Sequence, residues 1–257
     1  MTRTAAGAPS ESLLAAPDGY LRSATLPLPS LVLLLPLIAL YEVGTRYLTT
    51  AAQEGKDQQI IAFSKMEEFF RMLGAGGRYM PAFAVIGILL AWHIVRNDSW
   101  RVDLRTIIGM GIESAVLSLP LLLLAFAVNR YFPLAALKGV SHASILAHSS
   151  VQDRIIMDLG AGVYEEFVFR LVLFTLLSLL LKDIIRLHNA WVYVLTVAGS
   201  GLLFSAYHYF SPNESFAWRV FAFRALAGVY FGMIFMLRGF GITAASHSAY
   251  DFIVTVF

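Results

Sequence analysis

Two carboxylates and a guanidinium, in Glu165-Glu166-Phe167-Val168-Phe169-Arg170, lie within a stretch apolar enough to cross a bilayer. An ionised side chain in hydrocarbon costs about 2.5–3.5 kcal/mol on insertion scales, so three together demand internal partners, a water-filled cavity or a chemical role. Adjacent helical residues point about 100° apart, whereas Glu166 and Arg170 are i, i+4 neighbours in the favourable order. The spacing predicts that Glu166 pairs with Arg170. Glu165 then faces elsewhere, without a local cation, and can titrate as a base.

Two more segments carry matching chemistry. Phe204-Ser205-Ala206-Tyr207-His208 closes one apolar span, and His247-Ser248-Ala249-Tyr250-Asp251 lies in another, with His247 and Asp251 again i, i+4 on one face. A single buried histidine is ordinarily a packing residue. Two histidines, an aspartate and the glutamates in three successive apolar segments point instead to a shared cavity. Such a cluster activates water in an enzyme or relays protons in a proton-coupled transporter. The internal repeats expected of a transporter are not evident, and the ionisable residues gather in one half of the chain.

The elements that position these residues are membrane helices. Of 257 residues, 58% are hydrophobic and 14% charged, with a mean hydropathy of +0.69. A soluble domain has about 45–50% apolar and about 25% charged residues. The absence of cysteine excludes disulfides and thiolate chemistry, and a net charge of +2 argues against a nucleic-acid partner. Runs of about 20 apolar residues predict an all-α bundle of about seven to eight spans, near 28–49, 79–96, 105–128, 155–181, 190–210, 216–238 and 239–257. Residues 1–27 read as a flexible tail. Residues 28–152 form an N-terminal membrane part, and residues 155–257 the catalytic core. Between the first two spans, residues 57–74 place Ile60, Phe63, Met66, Phe70 and Leu73 at helical spacing opposite Lys65, Glu68 and Arg71, as in an interfacial helix. Its Glu67-Glu68-Phe69-Phe70-Arg71 imitates the intramembrane motif but is one residue short, and reads as a solvated face.

The three ordered motifs, Glu165-Glu166-x-x-x-Arg170, Phe204-x-x-x-His208 and His247-x-x-x-Asp251, resemble those of the CAAX-processing and bacteriocin-processing (Abi-type) intramembrane proteases over roughly residues 155–257. The resemblance implies that Glu165 and His208 activate a water for attack on a peptide carbonyl. It also implies that His247 and residue 251 stabilise the oxyanion, with Glu166, Arg170 and Phe204 in support. It further implies a multi-pass protein of a bacterial cell membrane, acting on a membrane-associated or lipidated peptide. The eukaryotic prenyl-protein branch carries asparagine where this chain has Asp251, and an ionised aspartate cannot donate to an oxyanion. Asp251 therefore orients His247, or the site holds a divalent metal such as zinc on Glu165, His208 and His247. Both readings stay open on the sequence, as does the oligomeric state.

Other intramembrane polar residues have plainer expectations. Glu42 and Arg46 are spaced to pair at the interface. Arg224 needs a carboxylate partner across the bundle, and Glu113 in the third span is a candidate for it. Ala198-Gly199-Ser200-Gly201 and Gly228-Val229-Tyr230-Phe231-Gly232 are small-residue patterns that let helices approach closely. His93, His142, His148 and His188 are assigned no chemistry.

Overall fold

The computed structural model describes residues 16–48, 59–131, 150–210 and 214–257, and the described residues contain helices and no strand. After the short α1 (Ala16–Ser23), α2 starts with Pro27 in its first turn and runs from Pro27 to Val43, ending in a π-helical segment, Gly44–Leu48. Then follow α3 (Ile61–Met72), α4 (Met80–Arg96) and α5 (Leu104–Tyr131). Helix α6 begins at Val151, capped by the Ser150 side chain accepting from the Asp153 amide. It runs to Glu166 and continues through the π-helical segment Phe167–Leu173, an α-helical turn Phe174–Leu179 and a second π segment Leu180–Ile184. Helix α7 (Asn189–Tyr207) ends in a 3₁₀ turn, His208–Phe210, and α8 (Trp218–Val256) is the last element.

Four described helices are long and apolar enough to cross a membrane, in α2, α5, α7 and α8. The chain is an integral membrane protein. Helix α8 is two limbs, because Gly239 sits at φ 77°, ψ −178°, a conformation open essentially only to glycine. The break falls at the boundary that the hydropathy pattern sets between residues 238 and 239, and it packs on the Thr25 backbone.

The stretch read as a tail through residue 27 is helical from Ala16, while residues 1–15 lie outside the described residues. Tyr20 of α1 donates to Glu113 of α5 at 2.6 Å, and Glu113 is also held by Arg238 of α8, whose Nη2 lies 2.8 Å away. Burial, followed by the Glu113 carboxylate, pushes the Tyr20 hydroxyl up to about 12, so it stays a donor at physiological pH. Glu113, a candidate partner for Arg224, is thus taken by Tyr20 and Arg238 instead. This polar clasp also ties the N-terminal helix to the elbow of α8.

Helix α3 docks through one face. Phe63 packs on Tyr41 of α2 and Tyr164 of α6, with ring centroids 5.3 and 5.0 Å away, while Leu73 is left exposed. Its outer face carries the pairs Lys65–Glu68 at 2.8 Å and Arg71–Glu67 at 3.6 Å, the solvated arrangement expected of the imitation motif. Lys65 beside Glu68 holds that carboxyl below its usual range. Glu42 departs from expectation. It accepts from the Tyr164 hydroxyl at 2.9 Å, whereas Arg46 is exposed with its guanidinium 5.9 Å from the Tyr47 ring. An inward-facing phenol in the bundle satisfies a carboxylate better than an exposed arginine held by a flexible chain.

Two glycine contacts set the distances at the site. A Cβ on Gly162 of α6 would lie 2.1 Å from Ser248 Oγ, 2.4 Å from the Ser248 amide nitrogen and 2.7 Å from the Ala244 carbonyl oxygen on the second limb of α8. A Cβ on Gly201 of α7 would lie 2.8 Å from the Val229 nitrogen on the first limb, and Gly228 faces Gly201 Cα just as closely. The small-residue patterns therefore do pack helix on helix. Backbone atoms cannot yield as a flexible side chain can, so Gly162→Ala is expected to destabilise the fold by about 1–3 kcal/mol or more. A thermal unfolding midpoint equal to that of the parent protein in the same detergent would disprove this close contact.

Candidate active site

The Gly162 contact lies one helical turn before Glu166 on α6 and flanks His247 on α8 through Ala244 and Ser248, so close backbone approach there delivers one side chain to the other. His247 Nδ1 is 2.9 Å from Glu166 Oε1, and its Nε2 is 3.3 Å from Asp251 Oδ2, one turn further along α8. Both carboxylates only accept, so making both hydrogen bonds at once requires the imidazolium. Phe231 stacks on the ring at a centroid distance of 4.6 Å and an interplanar angle of 22°.

Glu166 also meets Arg170, as the spacing predicts, with Nε 3.0 Å from Oε2. Both side chains are 0% exposed. The guanidinium donates through Nη1 to Ser200 Oγ at 2.8 Å and through Nη2 to the Gly228 carbonyl at 3.0 Å. The Gly201–Gly228 contact brings that carbonyl within reach, and a side chain in its place would push α7 and α8 apart. Arg170 stands in the π-helical segment that follows the glutamate pair, an irregularity frequent at functional sites. Phe204 separates these groups, with the Arg170 Cζ 5.6 Å from its ring centroid and the His208 and His247 rings 5.0 and 5.8 Å away.

Glu165, on the adjacent face and also 0% exposed, points to a different set of partners. Its Oε1 accepts from the Tyr207 hydroxyl at 3.3 Å, while Oε2 lies 4.0 Å from His208 Nε2. His208 Nδ1 is 2.8 Å from the Phe204 carbonyl. A carbonyl only accepts, so Nδ1 carries the hydrogen in that bond and Nε2 is the nitrogen turned towards Glu165. Glu165, His208, His247 and Asp251 all line one cavity of about 30 Å³, together with Arg224 and Tyr250. That is room for a water molecule, and the walls are polar enough to hold one.

The arrangement thus gathers Glu165, Glu166, Arg170, Phe204, His208, His247 and Asp251 into one cluster. Tyr207 was not singled out by spacing; its only signal is its position beside His208. Arg224, expected to reach across the bundle, pairs instead with Glu214 in the segment just before its own helix. His93 is buried edge-on to Trp100 at 4.4 Å, and His188 caps α7, accepting from the Ala190 amide at 3.4 Å. Neither joins the cluster, while His142 and His148 lie outside the described residues.

A divalent ion does not fit the donor set as it stands. Among the described residues no three His, Asp or Glu side chains are arranged to hold a metal. His247, one of the three expected ligands, has both ring nitrogens turned to carboxylates, and a nitrogen that donates has no lone pair to give.

All of these cluster residues fall within a stretch matched by one protein-family model, which covers residues 147–253 and describes the type II CAAX prenyl endopeptidase Rce1-like family. No curated protein and no solved structure matches the chain. Residues 147–253, which hold the three motifs in order and the cavity lined by Glu165, Phe204, His208, His247 and Asp251, are thus matched to the type II CAAX prenyl endopeptidase Rce1-like family.

Proposed function

We propose that the protein is an intramembrane endopeptidase that hydrolyses a peptide bond of a membrane-associated or lipidated substrate, using a water activated by Glu165 and His208. The observation that carries this reading is the 4.0 Å between Glu165 Oε2 and His208 Nε2, on the wall of a water-sized cavity inside an apolar bundle. A water between two acceptors donates one hydrogen to each and turns its lone pairs outward, towards a carbonyl carbon. Glu165 takes the proton as the C–O bond forms. The same proton then passes to the leaving nitrogen as the C–N bond breaks, so the carboxylate is restored. Tyr207 fixes one oxygen of Glu165 and sets the direction of the other.

Negative charge develops on the carbonyl oxygen during attack, and Nε2–H of His247 is the donor placed to meet it. Asp251 orients that imidazole rather than donating, and its 3.3 Å contact is long enough for a substrate oxygen to replace it. Glu166 fixes the other end of the ring, and Arg170 balances Glu166.

Substrate reaches the site from the side of α3. A groove of about 470 Å³, lined by Ala62, Lys65, Val168, Tyr207 and Phe210, lies against Tyr207, whose hydroxyl holds Glu165. Its size and mainly apolar lining suit a hydrophobic chain, either a prenyl group or an unmodified apolar segment. The purified protein in liposomes is expected to release a C-terminal peptide from a farnesylated peptide ending in Cys-Val-Ile-Ser. Turnover should be unchanged by 1,10-phenanthroline. Failure to cleave this peptide and its unprenylated form would remove support for the substrate class, and inhibition reversed by zinc would overturn the metal-free chemistry.

A further inference from the structure

Arg224 belongs to none of the three motifs, yet it lines the same cavity as Glu165, His208, His247 and Asp251. It is 3% exposed and is the one permanent cation among the described residues of that wall. Arg170, the other guanidinium of the cluster, is occupied behind Glu166, Ser200 and Gly228. Arg224 Nη1 pairs with the Glu214 carboxylate, its Cζ stands 5.9 Å from the Tyr209 ring, and Nε makes no hydrogen bond among the described residues. A buried guanidinium presents a planar fork of donors that matches a carboxylate in two-point contact. Here that fork is met by a single acid from the segment between α7 and α8.

We propose that Arg224 forms a carboxylate-binding subsite for the free C-terminus of the substrate, and that Glu214 is the internal carboxylate which the substrate displaces. The proposal rests on the endopeptidase reading for its substrate. Electrostatics supply the need. A peptide whose α-carboxylate lies a few residues beyond the scissile bond brings a negative charge towards a wall that already holds Glu165 and Asp251. In a low-dielectric cavity, like charges disfavour binding strongly unless a cation is set among them. Arg224 is that cation, and it sits on the first limb of α8, away from the motif-bearing limb. A C-terminus anchored there would fix how many residues separate the cut from the chain end, which makes the cleavage position a property of the subsite.

The test uses the full-length protein in nanodiscs and the same farnesylated peptide, made either as the free acid or as the C-terminal amide. Binding is read by fluorescence anisotropy on the Glu165→Gln variant, and cleavage on the parent. We expect the free acid to bind at least about 10-fold more tightly than the amide. In an Arg224→Gln background this preference should disappear, while amide binding stays within about 2-fold of the starting value. Glu214→Gln, in a segment outside the helices, should tighten the free acid alone by removing its competitor, which a merely structural role of Arg224 would not do. Equal binding of acid and amide, or binding of neither, overturns the subsite. A preference that survives Arg224→Gln assigns the carboxylate to another residue. A lower turnover of both peptides by Arg224→Gln, with no change in their ratio, places Arg224 in the transition state instead. If the acid is preferred but the parent cleaves neither form, the subsite stands and the endopeptidase reading falls.

Discussion

Glu165→Gln is expected to lower peptide hydrolysis by about 10²–10⁴-fold, the range usual for loss of a general base, and to leave the fold intact. The separation of the two effects follows from how Glu165 is held. The amide is nearly isosteric with the carboxylate, and its carbonyl oxygen can still accept from the Tyr207 hydroxyl, now at 3.3 Å from Oε1. What the amide lacks is a basic oxygen to take the proton of a water lying towards His208. Glu166 remains paired with Arg170 and His247, so the ion network that ties α6, α7 and α8 together is untouched. The measurement is turnover of the farnesylated peptide beside a thermal unfolding midpoint in the same lipid. A variant that keeps more than a tenth of the parent rate would remove Glu165 from the role of base. If His208→Asn also leaves the rate unchanged, the cluster is better read as a proton relay. A drop of about 10²-fold in His208→Asn, with normal unfolding, would place both groups on the same water.

Much of this site was legible because its chemistry is written at helical spacing. Glu166 with Arg170 and His247 with Asp251 are each one turn apart, so the pairs need no tertiary information, and the structure brings each together at 3.0 and 3.3 Å. Hydropathy likewise marks the break in α8, since Gly239 divides a run too long for one span. Pairings between helices were beyond reach. Nothing in the sequence says that Glu42 turns to Tyr164, that Glu113 meets both Tyr20 and Arg238, or that Tyr207 holds Glu165. These depend on rotation and depth of packed helices, which are set by contacts such as Gly162 on Ser248 and Gly201 on Gly228. The pattern of small residues predicts that close contacts exist, but not which helices make them. The π-helical segment at Phe167–Leu173 was also hidden, because one widened turn leaves the apolar periodicity nearly unchanged.

Arg170→Ala is expected to cost about 3–5 kcal/mol of stability, the usual penalty for removing one partner of a buried ion pair, and to abolish activity with it. The effect is large because four groups lose a partner at once. Glu166 would keep its charge at 0% exposure with only the His247 ring to balance it, and Ser200 and the Gly228 carbonyl would lose the donors at 2.8 and 3.0 Å. Phe204 would also lose the cation that lies 5.6 Å from its ring. Lysine is not a remedy, since a single ammonium cannot reproduce the fork that reaches Ser200 and Gly228 while also pairing with Glu166. The decisive comparison is the pair Glu166→Gln and Arg170→Gln, alone and together. If the pair is held by mutual compensation, the double variant should be more stable than Arg170→Gln alone, with a coupling of about 0.5–3 kcal/mol. The double variant should nevertheless stay inactive, because His247 would have lost the carboxylate that fixes Nδ1 and, with it, the aim of Nε2 at the developing oxyanion. Strictly additive losses in thermal or chemical unfolding would show that Arg170 acts through Ser200 and Gly228, as a strut between helices, and not through the charge of Glu166.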